Sequence, residues 1–340
     1  MVRTGWESPL ALEAFELPVP GPSQALVRVD ACGVCHRDLL DREGRFPFIQ
    51  VPITPGHEAS GTVVAVGPGA RDFEPGSRVG TMQRDACGAC ARCAAGQTSL
   101  CGAAAWVLGL LADGGYATHL LAPESALYPL PGDLRAPEAA VLQCTFGTAY
   151  RDLKTLGGLT RGERVLVTGA NGGVGGAAVQ VARRLGAEVT AIVREEAQRA
   201  YVERLGAHRV IVDAGGSFHG AAGGVDLALD TVGQPTFNSA LRALRVGGRI
   251  VIVGNVVQEK ASVNLGYVIT NGLTIIGGSG AVRRDMAELL ALHEAEPLLV
   301  SIDRTLPLSR ADEAQKLVKR GGLSGRIVLV PEDPGQAISR

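Results

Sequence analysis

The chain has 340 residues, 46% of them hydrophobic, and a formal net charge of −1. That length allows two domains and a large core, and the composition excludes a disordered chain. The near-zero charge gives no global field for nucleic acid or an anionic membrane as principal partner, leaving a small-molecule substrate. The opening residues Met1-Val2-Arg3-Thr4-Gly5-Trp6-Glu7 hold no apolar segment of the kind that leads a secretory signal. Charges or glycines also interrupt every apolar run before membrane-spanning length, so a cytoplasmic protein is expected.

In chain order, the first chemistry-bearing run is Cys32-Gly33-Val34-Cys35-His36-Arg37-Asp38, followed by Pro55-Gly56-His57-Glu58. A thiol, an imidazole and a carboxylate on glycine-punctuated turns are ligand types of a catalytic zinc site, which needs three protein ligands and an open position. Read alone, the same residues also fit a buried cysteine and a surface histidine that never meet. Next come Cys87, Cys90, Cys93 and Cys101, separated by two, two and seven residues. Four thiolates close a tetrahedral shell, so this lobe is expected to hold a structural zinc, and ferredoxin-type clusters use other spacings. A reducing compartment makes the seven cysteines metal ligands or buried thiols rather than disulfides.

The run Arg164-Val165-Leu166-Val167-Thr168-Gly169 reads as a strand ending in glycine. Ala170-Asn171-Gly172-Gly173-Val174-Gly175 follows and leads into an amphipathic helix closed by Gly186. Strand, glycine-rich turn and helix open a dinucleotide-binding unit, in which backbone N–H groups and a helix N-terminus meet a pyrophosphate. Residues 188–193, 209–212, 225–230, 249–254 and 273–276 read as further short strands, giving a doubly wound parallel α/β sheet. After the second strand stands Val193-Arg194, with no carboxylate until Glu195. An acidic residue there would repel a 2′-phosphate and an arginine would welcome it, so NADP(H) is expected over NAD(H), with Arg194 on the phosphate and Arg199 assisting. A solvated surface arginine is the plainer reading of Arg194.

Taken together, Gly33-Val34-Cys35-His36-x-Asp38, Pro55-Gly56-His57-Glu58-x-x-Gly61, the four-cysteine lobe, Leu142-Gln143-Cys144 and the glycine turn resemble the zinc-containing medium-chain dehydrogenase/reductase family, alcohol dehydrogenase type. The resemblance covers nearly the whole chain. It implies a catalytic zinc on Cys35, His57 and Cys144 with Glu58 beside it. Cys144, read alone, fits a small core side chain equally well. It also implies His36, Thr148 and Val253 beside the cofactor, in addition to Gly169, Asn171, Gly172, Gly173, Val174 and Gly175. The implied fold is a Rossmann domain over 148–282 plus a β-rich GroES-like catalytic domain over 1–147 and 283–340. A homodimer or homotetramer paired near Leu273–Gly277 is implied as well.

Two departures bear on function. Alcohol dehydrogenases of the family carry Ser or Thr two residues after the first zinc cysteine, where this chain has Arg37, and some continue the proton relay with a histidine where this chain has Leu40. Arginine cannot serve as a general base near neutral pH and leucine carries no proton. The segment Arg37–Pro47 resembles the acryloyl-CoA reductase branch, whose members pass hydride from NADPH to the β-carbon of an unsaturated thioester. Arg37, Arg42 and Arg45 then meet CoA or cofactor phosphates, or form an ordinary charged turn with Asp38 and Glu43. Three functions are expected in descending order: reductase of an activated C=C bond, alcohol/aldehyde dehydrogenase with another proton route, and non-catalytic NADP(H) sensor.

Overall fold

The computed structural model describes residues 2–3, 9–45, 49–257 and 259–332. The chain divides into two compact units, residues 1–143 with 301–340, and residues 144–300. The chain thus re-enters the first unit at Ser301, beyond the expected 283. The helix Arg283–Ala295 stays with the second unit because Asp285 accepts hydrogen bonds from Arg151 at 2.8 Å and Thr155 at 2.7 Å. Gln180 also exchanges two hydrogen bonds with the backbone of Leu299, at 2.9 and 2.8 Å. No helix among the described residues is long and apolar enough to cross a membrane.

The first unit is built on a seven-stranded sheet in the order Ile302–Pro307, Arg326–Val330, Gln24–Val34, Glu58–Val66, Arg78–Thr81, Leu127–Pro129, with His119–Pro123 also paired to Gln24–Val34. Its central strand buries most of both faces, as a strand covered on each side requires. Cys32, Val63, Leu120 and Ile327 share one core cluster, in which Cys32 is a small buried side chain. A second, smaller cluster joins Ile49 and Ile53 to Val107 and Leu110. Trp106 packs against the main core, and Phe46 and Phe48 lie outside the described residues.

The second unit holds six strands, all parallel, in the order Arg209–Val212, Glu188–Val193, Arg164–Val167, Val225–Asp230, Leu244–Ile252, Thr274–Gly277. This is the doubly wound dinucleotide-binding order, with its switch point beside the first strand. The fifth strand begins at Leu244, five residues before the expected start, through a register shift that lets it pair with Val225. Gly175 lies where the helix Gly173–Arg184 crosses its own strand, since a Cβ there would stand 2.1 Å from the Gly169 carbonyl. That close approach is the reason the third glycine of the turn is needed.

Candidate metal centres and cofactor cavity

Cys35 directly follows the central strand of the first unit and caps the helix His36–Arg42. Its backbone N–H donates to Asp38 Oδ2 at 2.9 Å, and Asp38 Oδ1 lies 2.9 Å from His57 Nδ1. With Asp38 as acceptor, Nδ1 carries a hydrogen and Nε2 is the nitrogen turned toward the other donors. Nε2 is 3.8 Å from Glu58 Oε1, and ligand atoms of Cys35, His57, Glu58 and Cys144 all lie within 4.8 Å of one another. The chain divides at Cys144, which continues the helical run from Ala136 in a π-helical turn over Gln143–Gly147. Such turns recur at functional sites because they shift side chains off the α-helical register.

The electrostatics fit a cation at this point. Burial and the Arg37 guanidinium oppose a proton on His57, yet the Asp38 carboxylate outweighs them and raises the imidazole to about 10. Burial likewise pushes Glu58 to about 7, against the pull of the Arg326 guanidinium with which it is ion-paired. Glu58 Oε2 is buried with no hydrogen-bond partner among the described residues. Two thiols, an imidazole and an orphaned carboxylate oxygen form a donor set that zinc takes, with a carboxylate–histidine pair behind it.

Arg37 is placed between this set and a neighbouring loop. Its Nε donates to Asp41 Oδ2 at 3.2 Å and one terminal nitrogen to the Leu108 carbonyl at 3.3 Å. Asp38 belongs to His57, so the partner of Arg37 is Asp41. Arg42 pairs with Asp312 at 2.8 Å and donates to Gln315 at 3.0 Å, while Arg45 lies 3.7 Å from Glu43.

In the four-cysteine lobe, Cys90 Sγ stands 3.5 Å from Cys93 Sγ and 3.9 Å from Cys101 Sγ, and Cys87 Sγ is 3.9 Å from Cys93 Sγ. A tetrahedron with Zn–S bonds of about 2.3 Å has sulfur–sulfur edges of about 3.8 Å, whereas a disulfide needs about 2.05 Å. Backbone amides of Ala89 and Cys90 donate to Cys87 and draw its thiol down to about 6, favouring the thiolate a metal requires.

In the second unit a cavity of about 770 Å³ is lined by Gly169, Asn171, Gly172, Arg194 and Asp213, among others. Gly172 caps the helix on which Gly173, Val174 and Gly175 form the first turn. Of the other expected cofactor residues, Val253 is half-buried just past the fifth strand and Thr148 is buried. Neither lines this cavity, nor does Arg199, which pairs with Glu196 and donates to the Val210 carbonyl at 3.1 Å. His36 sits half-buried next to Cys35 in the first unit.

Three contributors escaped the sequence reading. Asp38 had been matched to a charged turn, although its place three residues after a helix-capping cysteine is a capping-box signature. Arg326, far along the chain, has no local signal. Gly114-Gly115-Tyr116 carries one, a glycine pair before an aromatic residue: its three backbone N–H groups donate to Thr54, Gly56 and Pro55, clamping the His57 turn at 2.7, 2.8 and 3.0 Å.

Comparison with known proteins gives the family. The model described as alcohol dehydrogenase GroES-like domain matches residues 21–132, and that described as zinc-binding dehydrogenase matches 173–295. An acryloyl-coenzyme A reductase of Sulfurisphaera tokodaii is 35% identical over 324 residues, spanning 94% of this chain and 96% of its own. An alcohol dehydrogenase of Geobacillus stearothermophilus is 34% identical over 331 residues, spanning 95% and 97%. The crystal structure of AibC superposes with a TM-score of 0.93 at 38% identity, covering 98% of this chain and 95% of that one. The chain is therefore an oxidoreductase of the zinc-containing medium-chain dehydrogenase/reductase family, alcohol dehydrogenase type, among relatives that include acryloyl-CoA reductases.

Proposed function

We propose that the chain is an NADPH-dependent reductase of the activated C=C bond in an α,β-unsaturated thioester of the acryloyl-CoA type. The observation that carries this reading is Arg37, which stands at the relay position without a hydroxyl and whose guanidinium is committed to Asp41 and the Leu108 carbonyl. The acryloyl-CoA reductases of Sulfurisphaera tokodaii and Metallosphaera sedula, 35% and 33% identical, support it. NADPH held at the Gly169–Gly175 turn would supply hydride for the β-carbon; the double-bond electron pair would then move toward the thioester carbonyl, and a proton would close the α-carbon. One NADPH and one proton are consumed for each bond reduced. No alcohol proton has to depart, so the missing relay costs nothing here.

Zinc on Cys35, His57 and Cys144, with Glu58 beside them, supplies Lewis-acid polarisation of a carbonyl oxygen when bound. Asp38 orients His57 and fixes its tautomer, and Arg326 compensates the buried Glu58. A second, structural zinc sits on Cys87, Cys90, Cys93 and Cys101. Arg194 takes the 2′-phosphate of NADP(H) at the mouth of the Gly169–Gly175 turn, and Arg199, paired with Glu196, assists from the segment that follows Arg194. The enzyme is cytoplasmic and forms a homo-oligomer through the edge strand Thr274–Gly277, which leaves Thr274 and Ile275 exposed.

A second reading, alcohol/aldehyde dehydrogenase, is favoured by the complete four-donor set and the Geobacillus relative. A stopped assay separates the two: NADPH oxidation with acryloyl-CoA or crotonyl-CoA beside a panel of aldehydes, with NADH run in parallel. Turnover of the thioesters with NADPH is expected. Activity on aldehydes alone removes the reductase reading, and a clear preference for NADH removes the role of Arg194.

A further inference from the structure

Behind His57 the hydrogen bonds do not stop at Asp38. The Tyr116 hydroxyl donates to Asp38 Oδ2 at 3.1 Å, on the oxygen that also accepts the Cys35 N–H at 2.9 Å. Tyr116 is wholly buried, and its ring lies under the turn that carries His57: a Cβ on Gly56, whose φ is +98°, would come within 2.3 Å of the ring. On its outer side the phenol meets the Gln315 side chain, which is held in turn by Arg42 at 3.0 Å. The ring is therefore fixed from two directions and its hydroxyl is aimed at one carboxylate.

From this geometry we infer that Tyr116 is a positioning residue for the metal centre, acting through Asp38 to moderate how strongly His57 donates to zinc. A hydroxyl donating to Oδ2 draws part of the carboxylate charge away from Oδ1, and Oδ1 is the atom that pulls on the His57 N–H. Less pull leaves the imidazole a weaker donor and the zinc a stronger Lewis acid. The capping bond from Cys35 still orients Asp38 when the phenol hydroxyl is lost, so charge and orientation separate at this position.

The inference rests on the zinc reading above, and its test keeps the two apart. Wild type, Tyr116→Phe, Asp38→Asn and the double variant are each titrated with zinc against a chromophoric chelator. Cobalt(II) ligand-field spectra are recorded as well, with a Cys35→Ser sample subtracting the lobe. Tyr116→Phe is expected to bind zinc about fivefold more tightly at the buried set. That is less than the roughly 10–100-fold seen when a group bonded directly to a ligand is lost. Its cobalt bands should move to higher energy, and neither change should appear in the Asp38→Asn background. Replacing Tyr116 by 3-fluorotyrosine, a stronger donor of similar size, should move both readouts the opposite way, and decides the matter if the phenylalanine variant fails to fold. Weaker or unchanged zinc binding in Tyr116→Phe, or the same change without the Asp38 charge, overturns the inference. A wild-type chain that takes up metal only in the lobe overturns this inference together with the zinc reading.

Discussion

The lobe at Cys87–Cys101 and the set around Cys35 are both four-donor clusters, yet they are held in opposite ways. The lobe's two short helices, Ala91–Ala94 and Thr98–Leu100, bury no residue, and Cys87 is exposed. Of the four cysteines Cys101 alone is buried, and Arg84 donates to the Ser99 and Cys101 carbonyls, so a metal bound to the lobe would supply most of the remaining organisation. Around Cys35 the order is reversed. His57 and Glu58 are buried on a paired strand and its preceding turn, and Asp38, Tyr116 and Arg326 hold them from three separate segments. Packing and hydrogen bonds within the protein hold that scaffold. A metal on the lobe would make structure by binding, whereas one at Cys35 would meet packing already made, the contrast expected between a structural site and one that keeps a position open for chemistry.

The largest effect expected from that contrast is at Cys93. Cys93→Ala should release the lobe's zinc, and residues 87–101 should become the first point of proteolytic cleavage while the buried set keeps its metal. Zinc content by elemental analysis, with limited proteolysis, checks this; full zinc retention would show that the thiols are not ligands. The next effect concerns Cys35, where serine can still cap the helix. Cys35→Ser should weaken zinc at the buried set by more than the roughly 10–100-fold that loss of an outer-shell partner costs and move the melting temperature little, because strand pairing and Asp38 carry that region. A collapse of the melting temperature comparable with that of Cys93→Ala would erase the contrast.

How each cluster was legible follows from the same difference. Spacing alone singles out the lobe, since all four cysteines lie in one loop and chain proximity stands in for space. The six parallel strands and the glycine turn were also readable, because apolar runs and turn residues are local. The fifth strand began earlier than expected because Arg245, Val246 and Gly247 break the apolar run while register keeps Leu244 paired to Val225. The buried set could be completed only by resemblance: Cys144 comes from a helix far along the chain, and read alone it is an ordinary small side chain. Arg326 and Tyr116 act across sequence separations of 268 and 78 residues. No window or motif spans such distances, and only tertiary packing brings these groups to a metal ligand.

Arg37 tests where the buried scaffold ends and the chemistry begins, and its effect should be the smallest. The guanidinium lies against Asp41, whose carboxyl burial pushes up to about 7 while Arg37 pulls it down. A carboxyl whose folded-state pKa lies above its ordinary value of 3.8 favours the folded chain most when protonated. Its contribution to stability is therefore greatest below about pH 4 and is lost as pH rises through the folded value. Without Arg37 that value climbs further, so the wild type and Arg37→Thr should melt alike at pH 4 to 5 and diverge above about pH 7. By pH 8.5 the variant should lose a few degrees, a cost on the order of 1 kcal/mol. An equal loss at both ends of the range would mean that Arg37 supports the fold through the Leu108 carbonyl and packing rather than through Asp41. The same variant supplies the hydroxyl missing from the relay position. If the absent hydroxyl is what limits alcohol oxidation, that activity should rise with NADP⁺ while the zinc content stays unchanged. An unchanged or lower alcohol rate would place the proton on another group and leave Arg37 as part of the wall that holds the centre, with no part in its chemistry.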